Sequence, residues 1–200
     1  MESKGAACRR AQFADWNAVV AVLADAFQDE PAFCYIVPNA EARRKMLLAA
    51  FRIIVLEDLK AGRVMITTGG EAATLWRVPG RMLPSLLEEL TTVLPLLSAF
   101  GTSTGRALRV SRLIKANLPP EDCWYLHMAG CHSKHQGKGF GGSAIRAGLA
   151  LADSERSKVY LETADAKNLP IYRALGFEVL KSWQVPRGPQ FWGMMRPAQR

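Results

Sequence analysis

Residues Trp124 to Gly148 read WYLHMAGCHSKHQGKGFGGSAIRAG. The stretch opens with an aromatic and apolar strand, Trp124 to Gly130. It passes through a glycine loop, Gln136-Gly137-Lys138-Gly139-Phe140-Gly141-Gly142, and enters a helix whose Ile145, Leu149 and Ala152 recur at helical spacing. A glycine loop feeding a helix N-terminus exposes backbone N–H groups that no helical carbonyl satisfies. Together with the positive end of the helix dipole, those donors make a place for an anion such as a pyrophosphate.

Working outward, the chain is arranged as one α/β domain over residues 1–200. Ala6 to Ala11 reads as a first short strand. Asp15 is placed to cap a helix carrying Val19, Val22, Leu23, Ala26 and Phe27, and Pro31 ends it, so that Gln28 to Phe33 reads as a loop. A second helix fits Glu41 to Lys60 and is closed by Gly62. The period then switches: Val64 to Thr68 and Ala72 to Val78 read as a hairpin across Gly69-Gly70. Residues 82–118 form a helical insertion before the central strand. It has a leucine stripe from Leu83 to Leu97, kinked at Pro95, and then a basic stretch with Arg106, Arg109, Arg112 and Lys115. Those four are spaced by three and drift around a helix, which reads as solvated surface.

Beyond the glycine loop, Lys158 to Thr163 is a strand with Val159 and Leu161 on one face and Tyr160 and Glu162 on the other. Asn168 to Leu175 is a short helix closed by Gly176. Phe177 to Val185 and Phe191 to Met195 are final strands joined through Pro186-Arg187-Gly188-Pro189. This order predicts a mixed central sheet flanked by helices, with a parallel strand–helix–strand unit near its centre.

Composition bounds the function. Two hundred residues at 49% hydrophobic allow a sizeable single core. A formal net charge of +8 is compatible with a phosphate-rich ligand. Strands with interleaved aromatic and basic residues are absent, so nucleic acid is not an expected partner. No apolar run is long enough to span a bilayer and the start lacks a signal-peptide core, so no membrane association is expected and the setting reads as cytoplasmic. Cys8, Cys34, Cys123 and Cys131 lack CxxC spacing and read as free thiols. His132 and His135 flank a glycine loop rather than a helix face, and no metal is expected. A monomer or a homodimer fits equally well.

The loop is neither a P-loop nor the dinucleotide fingerprint. Its pattern Gln136-x-x-Gly139-x-Gly141, between a strand and a helix, resembles the pyrophosphate loop of the GCN5-related N-acetyltransferases. Leu161-Glu162-Thr163, Asn168-Leu169-Pro170-Ile171-Tyr172 and Leu175-Gly176-Phe177 match that family's second conserved region. Gly130-Cys131-His132-Ser133 stands where the family commonly shows Gly-Val-x-Pro. Within the superfamily the chain is most similar to puromycin N-acetyltransferase-like members. The resemblance runs over nearly the whole chain and is specific over its last eighty or so residues.

The resemblance implies a single domain with a mostly antiparallel mixed sheet, acetyl-CoA as cofactor, and acetyl transfer to a small-molecule primary amine, aminoacyl-nucleoside-like or other. A protein amine as acceptor, or an acyl-CoA-binding sensor without turnover, are the alternatives. It also implies that Ala129, Gly130 and Cys131, the loop residues Gln136, Gly137, Lys138, Gly139, Phe140, Gly141 and Gly142, and then Asn168 and Tyr172, hold the cofactor. By family position Tyr172 is the general acid, a phenol expected near its ordinary pKa of about 10. Asn168 would orient the pantetheine or cap its helix. The base is open between Glu162, His127 and Glu30, with His127 equally readable as a satisfied sheet histidine. Glu30 and Phe33 are the acceptor-side candidates. Glu30 stands where the closest relatives are expected to carry an aromatic residue.

Overall fold

In the computed structural model, which describes residues 5–61, 63–82, 95 and 98–199, the sheet is assembled around β4, Trp124–Cys131. Before it come β1 (Cys8–Arg10), β2 (Arg63–Thr67) and β3 (Ala72–Arg77). After it come β5 (Val159–Thr163), β6 (Glu178–Gln184) and β7 (Gln190–Arg196). Among the described residues the strand order is β1-β2-β3-β4-β5-β7-β6. Only β4 and β5 run parallel; the neighbouring pairs on either side are antiparallel. The expected mixed, mostly antiparallel sheet is therefore what forms. The final hairpin folds back so that β7, not β6, lies beside β5.

Helices cover both faces. On one lie α1 (Trp16–Ala26), α2 (Pro31–Ile36) and α3 (Ala40–Ala61). Val19 and Leu23 of α1 and Leu47, Phe51 and Val55 of α3 pack there with Ala73 and Leu75 of β3. On the other lie α5 (Phe140–Ser154) and α6 (Leu169–Ala174). There Ile145, Leu149 and Ala152 meet Trp76, Trp124, Val159 and Leu161. Removing Ile145 or Leu149 from water contributes about 1.5–3 kcal/mol each. Gly148 allows α5 to lie this close, because a Cβ there would stand 2.1 Å from Cε2 of Trp76. Between β3 and β4 the insertion contributes α4, Thr104–Asn117. Its Arg109 donates to the Tyr35 hydroxyl at 3.0 Å, a contact with α2 rather than a shared basic face. The leucine stripe from Leu83 to Leu97 and the closing Gly62 lie outside the described residues.

Local expectations are corrected in two places. Asp15 precedes α1 but makes no side-chain cap to it. Its carboxylate instead accepts from the Gln12 N–H at 2.8 Å and pairs with Arg9 at 2.7 Å, one turn earlier. The expected loop Gln28 to Phe33 contains the start of α2. Proline has no N–H to lose in a first turn, so Pro31 opens this helix rather than ending the previous one.

Candidate active site

The parallel pairing of β4 with β5 is short. It holds Trp124 against Val159 and Tyr125 against Tyr160, and then ends. β4 nevertheless runs on to Cys131, paired with β3 along its other edge through Ala129, Gly130 and Cys131. β5 runs on to Thr163, paired with β7. The two strands thus part beyond Tyr125, and among the described residues the facing edge of β4 from Leu126 to Cys131 has no strand partner. An unpaired strand edge is a row of N–H and C=O groups ready to bind an extended chain. Ala129, Gly130 and Cys131 lie on that edge.

At the far end of β4 the glycine loop meets α5. Gln136 Nε2 donates to the Cys131 carbonyl at 3.3 Å and ties the loop to the strand end. Gly137 (φ 76°) and Gly139 (φ 85°) take the left-handed conformation that side chains resist, and neither has a heavy atom within 4 Å of where a Cβ would lie. The space above the turn is open. Ser143 N–H is bonded to the Gly139 carbonyl at 3.0 Å, so Phe140, Gly141 and Gly142 occupy the first turn of α5, whose N–H groups have no intrahelical acceptor. This cradle fits a pyrophosphate. Lys138 turns back, its Nζ donating to the Lys134 carbonyl at 3.1 Å. A cation missed in the sequence stands closer: the Arg146 guanidinium lies 3.4–3.7 Å from the Cβ position of Gly142. Its signal was the four-residue step from Gly142 along one helix face.

The second set of side chains gathers where β4 and β5 separate. Tyr172 on α6 is 9% exposed and packs edge-on against Phe177, ring centroids 6.0 Å apart. Burial pushes its phenol above its ordinary value of 10, not near it as expected, and Glu162, Glu30 and Asp165 push in the same direction. Three carboxylates therefore lie within electrostatic reach of one phenol. Glu162 is anchored by the Tyr125 hydroxyl, which donates to Oε1. Its Oε2 is buried and has no hydrogen-bond partner among the described residues. Burial raises the Glu162 carboxyl from 4.5 to about 7, while Tyr125 and Arg77 oppose the rise.

Glu30 caps α2, its Oε2 accepting from the Phe33 N–H at 3.0 Å. Burial raises it to about 7 against the pull of the Phe33 and Ala32 amides. Phe33 stands half-buried against Phe27 in an edge-to-face contact at 5.6 Å. Asn168 makes no side-chain cap; Asp165, accepting from the Lys167 N–H at 3.0 Å, caps that turn instead. Asn168 is left half-buried beside the site.

His127 is tied down. Its Nδ1 lies 2.6 Å from Oδ2 of Asp58, whose Oδ1 accepts from Arg77 Nε at 2.9 Å. Burial and Arg77 lower its pKa against the pull of Asp58. Burial would raise Asp58, yet His127 and Arg77 hold its carboxyl below the ordinary value. Tyr125, Asp58 and Arg77 were not singled out from sequence, because each reads as an ordinary strand or helix residue. His132 Nδ1 pairs with Asp25 at 3.2 Å. Among the described residues no three His, Cys, Asp or Glu side chains stand together as a metal site would require. Among them, too, no helix is long and apolar enough to cross a membrane.

The comparisons with known proteins agree with this arrangement. The acetyltransferase (GNAT) family model matches residues 103–177, the segment from α4 through the glycine loop to α6. An uncharacterised N-acetyltransferase of Schizosaccharomyces pombe is 29% identical over 195 residues, covering 92% of this chain and 79% of that protein. The chain is thus similar to members of the GCN5-related N-acetyltransferase superfamily, through the family region at residues 103–177 and the N-acetyltransferase relative. It is an acyl-CoA-dependent N-acetyltransferase. The same fold appears in a Corynebacterium glutamicum structure described as histone acetyltransferase HPA2 and related acetyltransferase, with TM-score 0.74, 24% identity and 98% of both chains covered. It appears again in arylalkylamine N-acetyltransferase 2 from Aedes aegypti, with TM-score 0.64, 15% identity, and 96% of this chain and 99% of that one covered. A Drosophila melanogaster polyamine N-acetyltransferase aligns with TM-score 0.63 at 13% identity, over 96% of this chain and 99% of that one.

Proposed function

We propose that this acetyltransferase moves the acetyl group of acetyl-CoA to a primary amine of a small molecule by direct attack. Glu162 is the base and Tyr172 the general acid. The observation that carries the reading is the Oε2 of Glu162, buried without a hydrogen-bond partner among the described residues and within electrostatic reach of Tyr172. A buried carboxylate oxygen without a donor is costly unless an incoming group satisfies it. An ammonium, or a water that it donates to, does so.

When bound, acetyl-CoA supplies the thioester carbon that the amine attacks. The Gly137–Gly142 cradle and Arg146 would hold its pyrophosphate, and the open edge of β4 at Ala129, Gly130 and Cys131 would hold its arm, with Asn168 orienting the pantetheine. Glu162, with a carboxyl near 7, accepts a proton from the ammonium at neutral pH. Tyr172 stays protonated there and presents its hydroxyl to the departing sulfur. The same dry surroundings raise the sulfur's own affinity for a proton. Burial and Arg77 lower the His127 pKa and so weaken its ring as a base, which favours Glu162.

Glu30 gives the acceptor side a second carboxylate, and Phe33 an aromatic wall. Both support a compact amine with a further cationic or donor group. The puromycin-like resemblance and the arylalkylamine and polyamine acetyltransferases of the same fold supply the first acceptors to try. All four cysteines are free, in keeping with a reducing cytoplasmic setting. Thiol release from acetyl-CoA should be followed with a panel of aminoacyl-nucleosides, arylalkylamines, polyamines and a lysine-rich peptide. Release with a small amine and none with the peptide is expected. Release with the peptide alone would replace the small-molecule reading, and tight acetyl-CoA binding without any release would replace it by a sensor.

A further inference from the structure

The sheet holds Glu162 by one oxygen only, and the hand that holds it belongs to the strand across the split. Tyr125 and Tyr160 are register partners in the last parallel pair before β4 and β5 part. Side chains alternate along a strand, so Tyr125 and His127 share one face of β4, while Tyr160 and Glu162 share that face on β5. The buried Tyr125 ring spans the opening, and its hydroxyl donates to Glu162 Oε1. The ring is itself wedged between Tyr160, centroids 6.0 Å apart, and His127 at 5.5 Å. His127 is fixed through Nδ1 to Asp58 at 2.6 Å, and Asp58 by Arg77 at 2.9 Å. The Tyr125 hydroxyl therefore has little freedom to turn away.

We infer that Tyr125 is a positioning residue for acyl transfer: by donating to Oε1 it locks the Glu162 carboxylate so that Oε2 alone is presented to the incoming amine. The inference rests on Glu162 as the base of the proposed reaction. In that step an ammonium N–H bond breaks, the proton goes to Oε2, and the electron pair stays on nitrogen for attack. Tyr125 is not the destination of that proton, because its phenol, raised well above its ordinary value by burial and by Glu162, remains a donor.

The titratable and charged groups around Glu162 and its Tyr125 partner come from several elements. Tyr125 and His127 stand on β4, Arg77 on β3, Tyr160 on β5, Asp58 on α3 and Tyr172 on α6, with Glu30 at the start of α2. Of these, Tyr125 and Arg77 favour the ionised carboxylate. A hydrogen bond to a charged group is worth about 1.5–3 kcal/mol, so its loss should raise the Glu162 carboxyl by about one to two pH units.

The test compares wild type, Glu162→Gln and Tyr125→Phe by the pH profile of kcat/KM with an amine acceptor. Glu162→Gln is expected to abolish the acidic limb. Tyr125→Phe is expected to move that limb up by about one to two pH units, with about a five- to fiftyfold loss at pH 7 and an unchanged KM for acetyl-CoA. An abolished limb in Glu162→Gln with an unmoved limb in Tyr125→Phe would overturn the inference and leave Glu162 as base. A limb that survives in Glu162→Gln would overturn the reading of the base instead. Positioning is then decided by infrared titration of the protonated carboxyl band that Glu162→Gln removes; its midpoint must rise in Tyr125→Phe, and an unchanged midpoint refutes the role. Should Tyr125→Phe not fold, 3-fluorotyrosine at residue 125, a stronger donor of nearly the same shape, must lower the same midpoint.

Discussion

Replacing Glu162 by Gln should cost activity and yet improve stability, increasingly so as pH rises. The amide keeps an oxygen for Tyr125 and removes the buried charge. In the folded chain burial raises the Glu162 carboxyl from 4.5 to about 7. The sign follows from which state holds the proton. Between pH 4.5 and 7 the unfolded chain has released it and the folded chain still retains it, so folding takes up a proton and stability falls as pH rises. The penalty is absent well below 4.5 and complete above 7. At about 1.4 kcal/mol per pH unit, wild type loses about 2.5 kcal/mol between pH 5 and pH 8 through this residue, and Glu162→Gln does not. The amide brings its own cost, about 1–3 kcal/mol for an NH2 placed where Oε2 has no partner. That cost does not depend on pH, and Glu30, which titrates in the same window, is common to both proteins. The diagnostic quantity is therefore the change with pH of the stability difference, measured from urea midpoints at pH 5, 6, 7 and 8. In melting temperature it corresponds to roughly 5–10 °C. A difference that stays flat across this range, or moves against Glu162→Gln as pH rises, would refute the picture of a proton-retaining buried carboxyl.

Other substitutions probe the remaining parts. Tyr172→Phe should lower kcat by about 10²–10⁴ if the hydroxyl serves the departing sulfur; calorimetric affinity for acetyl-CoA and the ring contact with Phe177 should be unchanged. Asp58→Asn should destabilise by about 3–5 kcal/mol, because it removes the buried anion that pairs the half-buried Arg77. Denaturant titration measures that loss, and the double replacement Asp58→Leu with Arg77→Met should recover part of it. Gly148→Ala should cost at least about 1–3 kcal/mol, since its methyl would stand 2.1 Å from Trp76, and tryptophan fluorescence should report the displacement. Gly139→Ala meets no atom within 4 Å but must hold φ near 85°. At about 1–2 kcal/mol of strain it should weaken acetyl-CoA binding about tenfold with little loss of global stability, read by titration and by melting.

Much of this arrangement is legible in the chain. The strand, glycine loop and helix from Trp124 to Gly148 announce themselves through local signals: apolar alternation, residues that tolerate positive φ, and a three-to-four residue apolar period. The same holds for the hairpin across Gly69-Gly70 and the alternation that sends Val159 and Leu161 to one face and Glu162 to the other. Errors came where two local signals compete. Pro31 both stops a helix and suits the first turn of the next, and only the packing of Phe27 against Phe33 and Phe51 shows the second role. Asp15 had two amide partners to choose from and took the one beside Arg9.

The polar cluster was legible only in part. Glu162 and Tyr172 stand within one short stretch, but the partners of the polar groups come from elsewhere: Tyr125 is 37 residues from Glu162, and Asp58 is 69 from His127. No periodicity links residues so far apart, because what joins them is the parting of β4 from β5 after a single short parallel ladder. The glycine loop and the α/β order are thus properties of the sequence itself, since each rests on backbone freedom and on the spacing of apolar side chains within a short window. How Glu162 and His127 are held, and which way their pKa values move, was decided only by the tertiary structure, because burial, Tyr125, Asp58 and Arg77 act on those groups through space.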